Sequence, residues 1–157
     1  MDTHTYGGSC HCGRVRFEVT TNLSRASQCN CSICTQKAYL HHMVVADDFR
    51  LLSGTDDLAT YQFGTMTARH QFCKDCGVAP FLRPRANPAN YMVNVRCLEG
   101  VDLGSLTVAQ FDGRSWELRP DAPYTGPWSR RYEATWQTIG YAPYLFCCLY
   151  LSAQCRP

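Results

Sequence analysis

Seven of the eleven cysteines fall in three tight groups, Cys10/Cys12, Cys29/Cys31/Cys34 and Cys73/Cys76. Thiolates two or three residues apart can reach one ion across a tight turn, and zinc accepts four of them tetrahedrally at ~2.3 Å. In Phe72-Cys73-Lys74-Asp75-Cys76-Gly77, the glycine after the second cysteine fits a knuckle in which that residue needs positive φ, and Gly13 follows Cys12 in the same way. Two pairs make four ligands. Cys10, Cys12, Cys73 and Cys76 are therefore expected to form a closed structural zinc site that couples metal binding to folding.

The middle group, Cys29-Asn30-Cys31-Ser32-Ile33-Cys34, supplies three thiolates and no obvious fourth. Three protein ligands plus an exchangeable position is the pattern of a catalytic zinc. Three thiolates on a divalent ion leave a net charge of about −1, which favours sulfur chemistry, with an incoming thiol filling the open place as thiolate. The alternative is a closed site completed by His41, His42 or His70. His41 and His42 are adjacent on an expected strand, so their side chains face opposite ways. His70, three residues before Cys73, is placed to donate to a metal-bound thiolate or to shuttle a proton. Zinc is preferred over iron on ligand type alone.

The background composition sharpens this reading. The chain has 157 residues, 45% of them hydrophobic and 18% charged, the profile of one globular domain. An odd cysteine number excludes complete pairing within the chain, and the start, Met-Asp-Thr-His-Thr-Tyr-Gly-Gly, has neither a charged nor an apolar leader region. A cytoplasmic metalloprotein is expected. A net charge of +2 gives no electrostatic footprint for nucleic acid, so a nucleic-acid partner is not expected. The longest apolar run, Tyr141 to Leu151, is too short for a membrane crossing of roughly 20 residues.

The elements that must position these groups read as mostly β. Val15, Phe17 and Val19 alternate with Arg14, Arg16 and Glu18, the pattern of a half-buried strand. Further strands are predicted over Leu40–Ala46, Leu58–Phe63, Arg69–Phe72, Tyr91–Leu98 and Leu106–Phe111, separated by Gly and Pro turns. The one helix candidate is Trp128–Gln137. One domain is placed over residues 5–118, with a C-terminal extension over 119–157. Lys37, Arg83, Arg85 and Arg96 are solvated surface by default, with an anion-binding rim as the alternative. Cys97, Cys147, Cys148 and Cys155 read as small buried hydrophobes, and Trp116, Trp128 and Trp136 as core or interface.

The order C-x-C-G, then C-x-C-x-x-C, then F-C-x-x-C-G resembles the glutathione-dependent formaldehyde-activating enzyme family over residues 7–117. Within it, the chain is most similar to the centromere protein V branch. Phe49-Arg-Leu-Leu-Ser-Gly54, Thr60-Tyr-Gln-Phe63, His70-Gln-Phe-Cys-Lys-Asp-Cys-Gly-Val78, Pro84-Arg-Ala-Asn-Pro88, Arg96-Cys-Leu98 and Phe111-Asp-Gly-Arg-Ser-Trp116 add to that likeness. The resemblance implies a compact β-tent fold of short antiparallel strands around two zinc ions per chain. One ion would sit on Cys10, Cys12, Cys73 and Cys76, the other on Cys29, Cys31 and Cys34. It also implies a carbon–sulfur lyase activity joining formaldehyde to the thiol of glutathione at the second ion; with His41 and His70, taken from their positions in the sequence, Cys29, Cys31 and Cys34 make the expected catalytic set. A small thiol and an aldehyde are then the partners, and a homo-oligomer is compatible with it. The chain departs from many enzyme-branch members in carrying Thr35-Gln36, then Lys37, where those carry a basic pair after the third cysteine of the group. That departure favours the alternative, a non-catalytic zinc-stabilised binding module of the centromere protein V type.

Overall fold

In the computed structural model, residues 2–119 and 121–128 are described; the helix candidate (Trp128 apart), the Tyr141–Leu151 run, Trp136 and Cys147, Cys148 and Cys155 lie outside them. Contacts group Met1–Pro127 as one unit. Its strands are β1 (His4–Ser9), β2 (Arg16–Thr21), β3 (Arg25–Cys29), β4 (His41–Val44), β5 (Phe49–Ser53), β6 (Leu58–Tyr61), β7 (Arg69–Cys73), β8 (Phe81–Arg83), β9 (Tyr91–Asn94) and β10 (Thr107–Phe111). They form a three-stranded sheet, β1-β2-β5, and a seven-stranded sheet, β10-β3-β4-β9-β8-β7-β6. All pairs are antiparallel except β10 on β3, which is parallel, with Phe111 opposite Cys29.

The period-2 reading of residues 15–19 holds: Val15, Phe17 and Val19 are fully buried. Phe17 and Phe49, from the small sheet, meet Phe81 and Tyr91, from the large one. Phe49 stacks on Tyr91 with ring centroids 3.7 Å apart, and Phe81 meets Phe17 edge-on at 5.4 Å. Such pairs add about 0.5–1.5 kcal/mol to the stabilisation from burial. The Cβ of any other residue at Gly8 would collide with the Phe17 ring, so β1 lies against this cluster only as glycine. His42 is a second tie between the sheets. Its Nδ1 donates to the Arg25 carbonyl at 3.0 Å, which leaves Nε2 to accept from Thr21 Oγ1 at 2.8 Å.

Four strands, β1, β3, β5 and β8, escaped the sequence reading. β3 is Arg-Ala-Ser-Gln-Cys, with no β-branched or aromatic residue, and is held by its neighbours on both sides. The predicted strand over Tyr91–Leu98 stops at Asn94, whose side chain accepts from the Arg96 N–H and turns the chain into a 3-10 turn over Val95–Cys97. Two one-turn helices, α1 (Ser32–Lys37) and α2 (Gly113–Glu117), are too short to show helical periodicity. Among the described residues no helix is long and apolar enough to cross a membrane.

The interlock of the sheets can be tested at Phe17. Phe17→Ala should cost about 3–5 kcal/mol in urea unfolding, whereas Leu52→Ala, at a side chain 47% exposed, should cost under about 0.5 kcal/mol. Equal shifts in the two variants would show that the sheets do not pack through the aromatic cluster.

Candidate metal centres and the adjoining pocket

β1 runs directly into the first knuckle and β7 into the second. Gly13 and Gly77 adopt φ of +74° and +71°, as the knuckle pattern predicts. In each turn the amide after the second cysteine bonds back to the first: Gly13 N–H to the Cys10 carbonyl at 3.1 Å, Gly77 N–H to the Cys73 carbonyl at 3.0 Å. The amide of Val15 points at Cys10 Sγ, 3.4 Å away. Arg14 and Asp75 form an ion pair from one knuckle to the other. As a result the Sγ atoms of Cys10, Cys12, Cys73 and Cys76 all lie within 4.8 Å of one another, with 3.5 Å between Cys10 and Cys12 and 3.7 Å between Cys12 and Cys73. Sulfurs bound at ~2.3 Å to a common tetrahedral centre sit roughly 3.8 Å apart. These four residues can hold one metal ion with no further ligand.

The second group gathers three thiols from two elements. Cys29 ends β3, Cys31 is the N-cap of α1 and Cys34 lies three residues on, so one helical turn brings Cys31 and Cys34 to one side. Their sulfurs also lie within 4.8 Å of one another. Hydrogen bonds from the neighbouring thiols of Cys29 and Cys34 pull the Cys31 thiol down to about 2. The converse bond to Cys31 pushes Cys29 up to about 11, and bonds to Cys29 and Cys31, with burial, raise Cys34. Loading a metal there must release the protons that the three thiols still hold.

The histidines separate cleanly. His41 Nε2 lies 3.6 Å from Cys34 Sγ, but His41 is not part of the three-sulfur cluster. Burial pushes its imidazole down to about 4, so it is neutral at pH 7. His42, on the opposite face as expected, is the tie between sheets and lies away from the thiols. His70 is buried, stacked on Phe63 at 5.6 Å, with burial and then Lys37 lowering its pKa; its Nδ1 has no hydrogen-bond partner among the described residues.

A cavity of 410 Å³ opens beside the three cysteines, and both His41 and His70 line it. The sequence reading did not find most of its wall. The parallel pairing of β10 carries residues 111–117 across the Cys29–Cys31 turn. There Asn30 donates to Asp112 at 3.1 Å and accepts from the Arg114 N–H at 2.8 Å. Gly113 packs on Cys29 so closely that a Cβ would collide with its sulfur. Glu117 accepts from the N–H and the hydroxyl of Ser32, at 3.1 and 2.6 Å, and so caps α1 from outside. Of the four cations considered for a rim, Arg85 lines the pocket. Lys37 lies over Phe72 and Arg83 over Tyr91, neither in the lining; Arg96 is exposed and also outside it.

Replacement of the ligands should separate the two clusters. Cys76→Ser should unfold much of the domain and lower the melting temperature sharply, because it opens the site that joins β1 to β7. Cys31→Ser should keep the fold and lower bound metal by one ion per chain. Gly113→Ala should keep the fold and weaken metal at the second cluster by about 10- to 100-fold. Metal content by mass spectrometry reads all three; a Cys76→Ser protein with two ions and an unchanged melting curve would refute the assignment.

His41 also fixes a pH dependence. The unfolded chain takes up a proton at this residue below about 6.5, the folded chain only near about 4. The unfolded state therefore binds more protons between those values, and stability is lost as pH falls through that window, by up to about 3 kcal/mol. His41→Gln at the same metal loading should have the flatter profile of urea midpoint against pH; parallel profiles would show that His41 is not buried neutral.

The family model described as glutathione-dependent formaldehyde-activating enzyme matches residues 5–111, which include all seven cysteines of both clusters. Among solved structures, the crystal structure of a Rhodobacter sphaeroides protein, a structural-genomics target, is 39% identical, covering 67% of this chain and 99% of that one, with a TM-score of 0.63. With the fold, the thiol spacing and the matched span in agreement, this chain belongs to the glutathione-dependent formaldehyde-activating enzyme family.

Proposed function

We propose that the protein adds a small thiol, glutathione or an analogue, to formaldehyde or another small aldehyde, as a carbon–sulfur lyase. Cys10, Cys12, Cys73 and Cys76 hold a structural zinc, and Cys29, Cys31 and Cys34 a second. The observation that carries this reading is the three-thiol cluster facing a pocket, with His41 reaching one sulfur only. An ion held by Cys29, Cys31 and Cys34 would supply Lewis-acid activation that lowers the pKa of a substrate thiol.

The chain's own residues do the rest. Packing of Gly113 and the Asn30–Asp112 bond hold the Cys29–Cys31 turn in place, and His41 orients Cys34. The pocket brings the thiol and carbonyl together, which supplies much of the rate gain. His70, neutral and with a free Nδ1 among the described residues, takes the thiol proton, and in the absence of an aldehyde passes it on to solvent. The sulfur pair then forms the bond to the carbonyl carbon, the C=O π pair moves to oxygen, and His70 returns the proton there. Microscopic reversal gives the cleavage direction. The competing reading, a non-catalytic module, requires a closed second site, and Thr35-Gln36 is the feature that favours it.

Proton release distinguishes the two. Excess 2-mercaptoethanol or glutathione, added to zinc-loaded protein near neutral pH, should release about one proton per chain and change the zinc-edge spectrum. His41→Ala and His70→Ala should each keep the second zinc, and His70→Ala should lower the addition rate by about 10²–10⁴. No proton release with either thiol, together with loss of the second zinc on removal of one histidine, would replace the enzyme with the module.

A further inference from the structure

The pocket wall is poorly matched to a substrate bearing several carboxylates. Its lining is dominated by Ile33, Leu82, Met92, Phe111, Trp116 and Tyr124. Among the described residues, Arg85 and Glu117 are the charged side chains in it besides the ionisable groups of the thiol site, and they are opposite in sign. Both already have partners. The Arg85 guanidinium lies 3.5 Å over the Trp116 ring and donates to the Trp116 carbonyl at 3.0 Å, while both Glu117 oxygens accept from Ser32. Lys37 and Arg83 each lie over a ring outside the lining.

Charge points the same way: Arg85 and Glu117 are opposite in sign, so the described wall offers a substrate carboxylate no net positive charge. A tripeptide with two carboxylates needs a cation for each; among the described residues the wall offers one, Arg85, and desolvating the other carboxylate unpaired is costly. An uncharged body gains from every apolar wall residue that it covers, at about 25 cal/mol per Å².

We infer that the thiol taken by this pocket is neutral and apolar, of the arylalkyl or alkyl class, rather than an anionic peptide. The inference rests on the thiol-addition reading and narrows its substrate. The addition itself is unchanged: the thiol loses its proton, a C–S bond forms, the C=O π bond breaks, and the oxygen takes the proton back.

Calorimetric titration of the full-length zinc-loaded chain with benzyl mercaptan, glutathione and benzyl methyl sulfide tests this. Benzyl mercaptan should bind at least tenfold more tightly than glutathione. The sulfide has the same apolar body and no thiol proton, so it should bind more weakly than the mercaptan yet compete with it. Thr65→Lys and Ala86→Lys each place a cation on the pocket lining and should shift the preference at least threefold toward glutathione. The two positions lie on different loops, so the test survives if one variant folds poorly. Glutathione binding as tightly as benzyl mercaptan, or a preference unmoved in a folded lysine variant, would overturn the inference. Competition by the sulfide with no proton release from either thiol would instead overturn thiol addition and leave the apolar pocket standing. Proton release with glutathione preferred would do the reverse.

Discussion

Four sulfurs from two turns, with Cys12 and Cys73 separated by 61 positions, meet within the reach of one ion, and their convergence constrains how the two sheets lie. β1 delivers the first turn from the small sheet and β7 the second from the large one. Once these turns coincide, Phe17 and Phe49 are presented to Phe81 and Tyr91, and the aromatic cluster fills the space between the sheets. Arg14 and Asp75 add an exposed ion pair at the same junction, worth little alone. Hydrophobic burial provides the bulk of the stability; the sulfur convergence selects the arrangement in which that burial occurs.

The second cluster is a contrast in how thiols are held. The first four come from two glycine-assisted turns that need little help. The three at the pocket depend on distant chain: α2 and the segment before it pack on Cys29, bond to Asn30 and cap α1 through Glu117. Histidine roles follow from strand geometry. Adjacent residues on β4 face opposite ways, so one imidazole meets the three-thiol group and its neighbour joins the sheets.

How much of this the sequence shows depends on range. Local rules located the knuckles, the positive φ at Gly13 and Gly77, and the buried face of β2, since each is set by residues within a few positions. The same rules placed most strands yet lost β3, whose small polar residues become a central strand only through partners on both edges. The pocket was harder still. Trp116 and Glu117 are ordinary in sequence, and nothing near them signals that parallel pairing of β10 with β3 will bring them to Ser32 and Arg85. The three-cysteine group was legible as an incomplete ligand set, but its apolar surroundings were not, because they come from six separate stretches of chain.

The clasp between Glu117 and Ser32 has a temporal side. The two residues are 85 positions apart, and a ribosome adding roughly 5–20 residues per second leaves about 4 to 17 seconds between them. Throughout that interval the Cys29–Cys34 thiols have emerged without the strand and helix that cover them. They are exposed to oxidants and to whatever metal the compartment offers, while the cover that defines the pocket has yet to be made. Emergence of this thiol cluster and closure of its wall are thus separate events during synthesis, and the first precedes the second.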